Sequence, residues 1–291
     1  MNQLALEAGW AYRAGGVLAS EPLALASLAL SGYQRTAAAQ RAALRLSEMQ
    51  NPDGSVGVTL NEPTPGWPTS LAALSWAVAS RAEKSRQSLA LGQARDRGIA
   101  WLLATHGDAS IRNPVIGHDA SLRGWPWAEG THSWIEPTAL AVLALKATGY
   151  SEHPRTREAV ALLIDRLLPN GGCNYGNTTV LGQTLLPQPT SSGLALAALA
   201  GESDPSGRLT RTVDYLRATL NAETTCLSLA YGLIGLAAHD CTPKQAGDWL
   251  ARAARRAGRE AAPYKRALLT LAALGRECPL ISSNVELRVH A

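Results

Sequence analysis

Phenylalanine is absent from this chain of 291 residues, and methionine occurs only twice. Charged residues make up 17% of it, a share too low for a solvated, disordered segment. The four cysteines, Cys173, Cys226, Cys241 and Cys278, lack the paired spacing of zinc sites, and a chain of this length builds a core without disulfide staples. Neither a metal nor a cofactor is expected. Continuous apolar runs are also missing. The longest candidate, around 226–238, is interrupted by Ser228, Gly232 and Gly235 and is too short to span a bilayer. The formal charge of +4 is mild, and only Arg252, Arg255, Arg256 and Arg259 cluster, which excludes the concentrated basic footprint of a nucleic-acid binder. With no basic-plus-apolar leader in view, the expected location is the cytoplasm.

What remains is rich in alanine and leucine, both strong helix formers, with eight tryptophans. The organising stretch is GWPWAEGTHSWIEPTALAVLALKATG, residues 124–149, in which a Gly/Trp loop runs into a Glu-Pro pair that opens an apolar helix. The pattern recurs. GWAYRAGGVLASEPLALASLAL places Trp10 and Pro22 at the 12-residue separation of Trp125 and Pro137. A shortened copy, GWPTSLAALSWAV, spans 66–78, and GGCNYGNTTVLGQTLLPQPTSSGLALAALA at 171–200 is a fourth version with Gln188-Pro189 in place of Glu-Pro. An internal period of roughly 45 to 60 residues marks a repeat architecture.

The repeats alternate two kinds of helix. Stretches 21–30, 69–80, 137–148, 190–200, 223–238 and 264–274 are apolar on nearly every side. Stretches 36–49, 154–168, 208–220 and 243–258, with a helix ending near 104, carry one apolar stripe and one wet face. Ser20 or Glu21 is the expected cap of the first apolar helix, and residues 81–92 read equally as helix or connection. Helices apolar all round belong inside, and striped ones cover them. About six inner and five to six outer helices close naturally into an all-α, α/α toroid, a single domain over 1–291 with a possible surface tail at 276–291. Inner-to-outer connections are short, whereas those at 50–68, 105–136 and 169–189 are long, so the elaborate loops gather where inner helices begin. An open superhelical solenoid is the other arrangement this pattern allows.

GGCNYGN followed by PQPTSSGLALAALA, and GWPWAEGTHSWIEPTALAVLAL, resemble the glycine–aromatic repeat units of the squalene/terpene cyclase and protein prenyltransferase β-subunit superfamily. The resemblance covers most of the chain. It implies an α/α toroid and an isoprenoid-derived or other small hydrophobic substrate, handled by acid-initiated cyclisation or isomerisation. The sequence departs from that pattern in two places. It has neither a DxDD nor a DCTAE acid motif, and where prenyltransferases place zinc ligands it has only Glu223 and Cys226 in NAETTCLS, with no histidine opening the next apolar helix at Pro263. Zinc catalysis needs at least three protein ligands, so none is expected.

The residues that suit such chemistry lie in the 118–136 loop. Asp119, Glu129, His132 and Glu136 occur there among Trp125, Trp127 and Trp134. A carboxylic acid among aromatic rings has its pKa raised and serves as a general acid, with Glu129 or Glu136 as the acid and His132 as its partner. The plainer role for Glu136 is complementing a helix N-terminus, since Glu21 and Glu223 sit at equivalent helix starts. Trp10, Trp67 and Tyr175 come from corresponding loops and are expected to join the tryptophans around one mouth, with Tyr264 and Lys265 binding an anionic head group. The same mouth without catalysis would make a ligand-binding protein, and a filled centre would make a scaffold for a protein partner.

Overall fold

The structure, a computed structural model, describes residues 10–81, 85–111 and 116–282. The fold is all-α. In chain order it begins with α1 (Ser20–Gly32), α2 (Thr36–Ser47), α3 (Thr69–Ala79), α4 (Arg86–Ala104), α5 (Ile135–Ala147) and α6 (Pro154–Asp165). It continues with α7 (Pro189–Ala198), α8 (Arg208–Thr219), α9 (Cys226–Ala237), α10 (Ala246–Arg259), α11 (Pro263–Ala273) and a short α12 (Pro279–Ser282). A two-stranded hairpin, β1 (Thr179–Val180) and β2 (Gln183–Thr184), interrupts the connection into α7.

The odd-numbered helices are the buried ones. In α5 every residue is shielded from water except Glu136, which is partly buried, because IEPTALAVLALKA has no wet face. Pro137 sits in its first turn, where a missing N–H leaves no ladder bond unmade. The even-numbered helices from α2 to α10 bury one stripe each. In α2 this is Ala38, Ala39, Ala42, Ala43 and Leu46, while Arg35, Arg41, Arg45 and Glu48 face solvent. Each fully buried leucine contributes roughly 2 kcal/mol through the area it removes from water.

The buried helices contact one another in sequence: α1 with α3, α3 with α5, α5 with α7, α7 with α9, and α9 with α11. The series returns to its start, because α11 packs on α1. Covering helices lie against their chain neighbours, α2 on α1, α4 on α3, α6 on α5, α8 on α7 and α10 on α11. The tightest approach is α7 to α9. A methyl group added at Gly193 would collide with the Tyr231 carbonyl, and one at Gly235 with the Gly193 carbonyl, so only glycine permits this spacing.

A repeated polar device ties each elaborate loop to the helix it enters. The Thr69 hydroxyl accepts a hydrogen bond from Val56 N–H (2.8 Å), Thr138 accepts from Trp125 N–H (2.9 Å), and Ser192 accepts from Cys173 N–H (2.9 Å). The separations are 13, 13 and 19 residues, and the longer one contains the β1–β2 hairpin. All three hydroxyls are buried, so each bond satisfies a loop amide that water cannot reach.

Several expectations need correction. Ser20 does not cap α1: its hydroxyl donates instead to the Gly57 carbonyl at 2.6 Å, pinning the start of the helix to the 50–68 loop. Within 81–92, α4 begins at Arg86 and is capped by Ser85, whose hydroxyl accepts from Ser88 N–H; residues 82–84 lie outside the described residues. The segment after 276 is not a surface tail as far as Ile281, because Cys278, Leu280 and Ile281 are buried and α12 packs on α1 and α7. The remainder, 283–291, lies outside the described residues.

Candidate functional site

The loops that enter α3 and α5 enclose a groove of about 790 Å³. Its walls come from the 50–68 connection, the C-terminal end of α4 and the 105–134 connection, with Ser70 of α3 and Pro137 of α5 also lining it. Trp67, Trp101, Trp125 and Trp127 line it. Trp67 and Trp127 meet edge to face, 5.0 Å between centroids at 77°. Trp125 is buried and fixed from behind: its indole N–H donates to the Leu102 carbonyl (3.1 Å), and the Arg155 guanidinium stacks 4.6 Å from its ring. Trp101 is pressed against Gly66, where no side chain would fit.

Asp53, Asp108 and Glu129 supply carboxylates to the groove, and no lysine or arginine is among its lining residues. Asp53 is held by an Asx turn, accepting from the Ser55 amide (3.0 Å) and hydroxyl (2.7 Å). Asp108 is placed by its backbone, which forms an isolated bridge with His132 and donates to the Thr131 carbonyl. Glu129 stands on an exposed turn closed by Thr131, whose hydroxyl donates to the Ala128 carbonyl at 2.7 Å.

A second cavity, about 510 Å³, opens at the start of α11 between Tyr12, Arg13, Glu260, Tyr264 and Lys265. Tyr12 and Tyr264 meet edge to face at 5.1 Å. The Lys265 ammonium is engaged by Glu260, and that hydrogen bond holds its pKa above the ordinary lysine value. Beside this cavity the Tyr12 hydroxyl donates to Glu21 at 2.7 Å, and burial pushes both groups upward in pKa.

Glu136 occupies a related position on α5. Its carboxylate accepts from the Ser191 hydroxyl (2.9 Å), and burial holds its pKa above the usual range against the lowering effect of that bond. The charge of Glu136 adds to the upward shift of Glu21, so the two carboxyls feel each other. Both also raise the pKa of Tyr231 on α9, after burial as the main cause. Tyr231 is only 5% exposed.

The residues singled out from the sequence therefore divide into groups instead of meeting at one mouth. Trp67, Trp125, Trp127 and Glu129 share the groove, while Tyr264 and Lys265 share the second cavity. Glu129 and His132 form no acid–base pair: Glu129 points from a loop tip, and the His132 ring stacks on Trp134 at 4.5 Å. Trp134 is the residue preceding α5, and its amide bonds the Trp125 carbonyl at 3.1 Å. Asp119 lies outside both cavities, accepting from the Ser121 amide and hydroxyl while its own amide donates to Asp165. Trp10 packs against the core with its indole N–H buried and unpartnered among the described residues. Tyr175 is largely exposed and contributes its carbonyl to Ile135 N–H. Sequence reasoning missed Trp101, which lies on a covering helix, and Asp53 and Asp108, which carry no motif. The hidden signal for Asp53 was its Asp-Gly-Ser turn, a standard way to orient a carboxylate.

Among the described residues no helix is long and apolar enough to cross a membrane. No group of three or more His, Cys, Asp or Glu side chains among them is arranged to hold a metal ion. No protein-family model matches the sequence, and no curated protein matches it.

Proposed function

We propose that the chain is an α/α toroid of the cyclase and prenyltransferase type that binds a small hydrophobic molecule in the groove between its 50–68 and 105–134 connections. The closed cycle of contacts among α1, α3, α5, α7, α9 and α11, each paired with a covering helix, supports the toroid. The observation that carries the binding function is the groove itself: about 790 Å³, four tryptophans in its walls and a few placed polar groups. That combination of volume, aromatic lining and sparse polarity is typical of sites for ligands of drug-like size. Native mass spectrometry of freshly purified protein should find a retained hydrophobic molecule, and Trp67→Ala should release it without unfolding the chain. Protein that carries no ligand and gives no tryptophan response to a panel of apolar compounds would sink this reading.

A second reading, the acid-initiated cyclisation or isomerisation implied by the resemblance, is favoured by Glu136. A partly buried carboxyl with a raised pKa, whose charge is felt by a second carboxyl of the same kind, has the surroundings a general acid needs. Glu136 does not line the groove, so this chemistry would use the space around Glu21, Glu136 and Tyr231 instead.

A further inference from the structure

We propose that the ligand taken by the tryptophan groove carries a quaternary ammonium head on an apolar body. The proposal rests on the groove being the ligand site and adds the charge and shape of what enters it. Two features converge. The first is the corner made by Trp67 and Trp127, whose planes stand 77° apart with centroids 5.0 Å from each other. A flat sugar ring stacks on a single plane, whereas a near-spherical trimethylammonium group touches both planes of such a corner. The negative faces of indole rings attract a cation, and alkylated nitrogen suits them best because it has no N–H whose hydrogen bonds to water must be broken.

The second feature is charge. Asp53, Asp108 and Glu129 stand at the groove, and its lining holds no basic residue apart from His106. The Arg155 guanidinium lies against Trp125 but is not among the lining residues. It is neutralised by Glu158 at 2.7 Å and donates to the Thr105 carbonyl at 3.1 Å. The field inside the groove therefore favours a positive head group, unlike the anionic one that Lys265 suggested from sequence. Lys265 lines the other cavity and is already paired with Glu260. The rest of the cavity, bounded by Pro65, Pro126 and Trp101, accommodates the apolar body.

The test compares acetylcholine with its uncharged isostere, 3,3-dimethylbutyl acetate, by calorimetry and tryptophan fluorescence on the full chain. The cation should bind on the order of tenfold tighter. Trp127→Leu keeps an apolar wall but removes a π face, so it should weaken the cation more than the neutral ester and shrink the preference between them. Glu129→Gln and added salt should weaken the cation alone, since the carboxylates at the rim are exposed and screened. Equal affinity for the two esters would overturn the ammonium assignment while the hydrophobic-groove reading survived. A neutral oligosaccharide that binds where both esters fail would overturn it in favour of a stacked sugar. If neither ester binds, the ammonium assignment falls, and the groove reading is then judged by the apolar panel and the retained ligand.

Discussion

Glu136 is the titratable residue at the start of α5. Burial holds its carboxyl above the ordinary range, so folding favours the protonated form. Its contribution to stability is accordingly full below the unfolded carboxyl value, about pH 4.3, and is lost as pH rises through the folded value. Glu136→Gln keeps an acceptor for the Ser191 hydroxyl and removes the cost of ionisation. The variant should melt higher than the parent at about pH 8, with the gap closing near pH 4. Parallel melting curves at both pH values would show that the carboxyl is not buried as described. If the acid-initiated reading holds, the same variant should lose turnover on any substrate found while keeping its fold.

At the scale of elements, the pair α7 and α9 depends on absent side chains. Gly193 and Gly235 let the two backbones approach until a methyl group would strike a carbonyl. Backbone carbonyls cannot swing aside as a flexible side chain can, so Gly193→Ala must separate the helices. The expected loss is at least about 2 kcal/mol, read from denaturant unfolding. A stability change within error would mean that the helices have slack there. The opposite strategy holds α5 to α7 at their far ends. The Lys146 ammonium donates to the Ala198 carbonyl at 2.8 Å and pairs with Glu202 at 2.6 Å, where both side chains are nearly buried. Burial alone would push the Glu202 carboxyl upward, but Lys146 and Arg157 together bring it below its usual value. A charge this far from water persists only because every partner is in place.

Over the whole molecule, stability rests on closure. Each buried helix needs two buried neighbours, and α1 obtains its second from α11, more than 230 residues along the chain by roughly the span of the fold. Truncation after Glu260 removes α11 and with it the buried Leu268, Leu269 and Leu271. It also bares the faces of α1 and α9 that α11 covered. At roughly 2 kcal/mol per fully buried leucine, and with two helix faces opened to water, the shortened chain should lose cooperative unfolding and aggregate. A monomeric product with the parent's melting temperature would mean that closure is dispensable.

Apart from the start of α4 and the short α12, the helices, their alternation and their limits to within a few residues were legible in the sequence, because helix formation and burial depend on a local period of 3.6. IEPTALAVLALKA can be nothing but a buried helix, and TAAAQRAALRLS can bury only one side. Which loop side chains would meet was not legible. Glu129 and His132 are three residues apart, yet a turn closed by Thr131 sends one outward and a stacked Trp134 holds the other. Trp67 and Trp127 are 60 residues apart and touch. Loop positions are set by hydrogen bonds to distant groups, such as Trp125 N–H to Thr138 and Ser20 to Gly57, and no local period encodes those. The chain's own sequence thus determined what would be inside, and only its tertiary packing decided which tryptophans and carboxylates would share a groove.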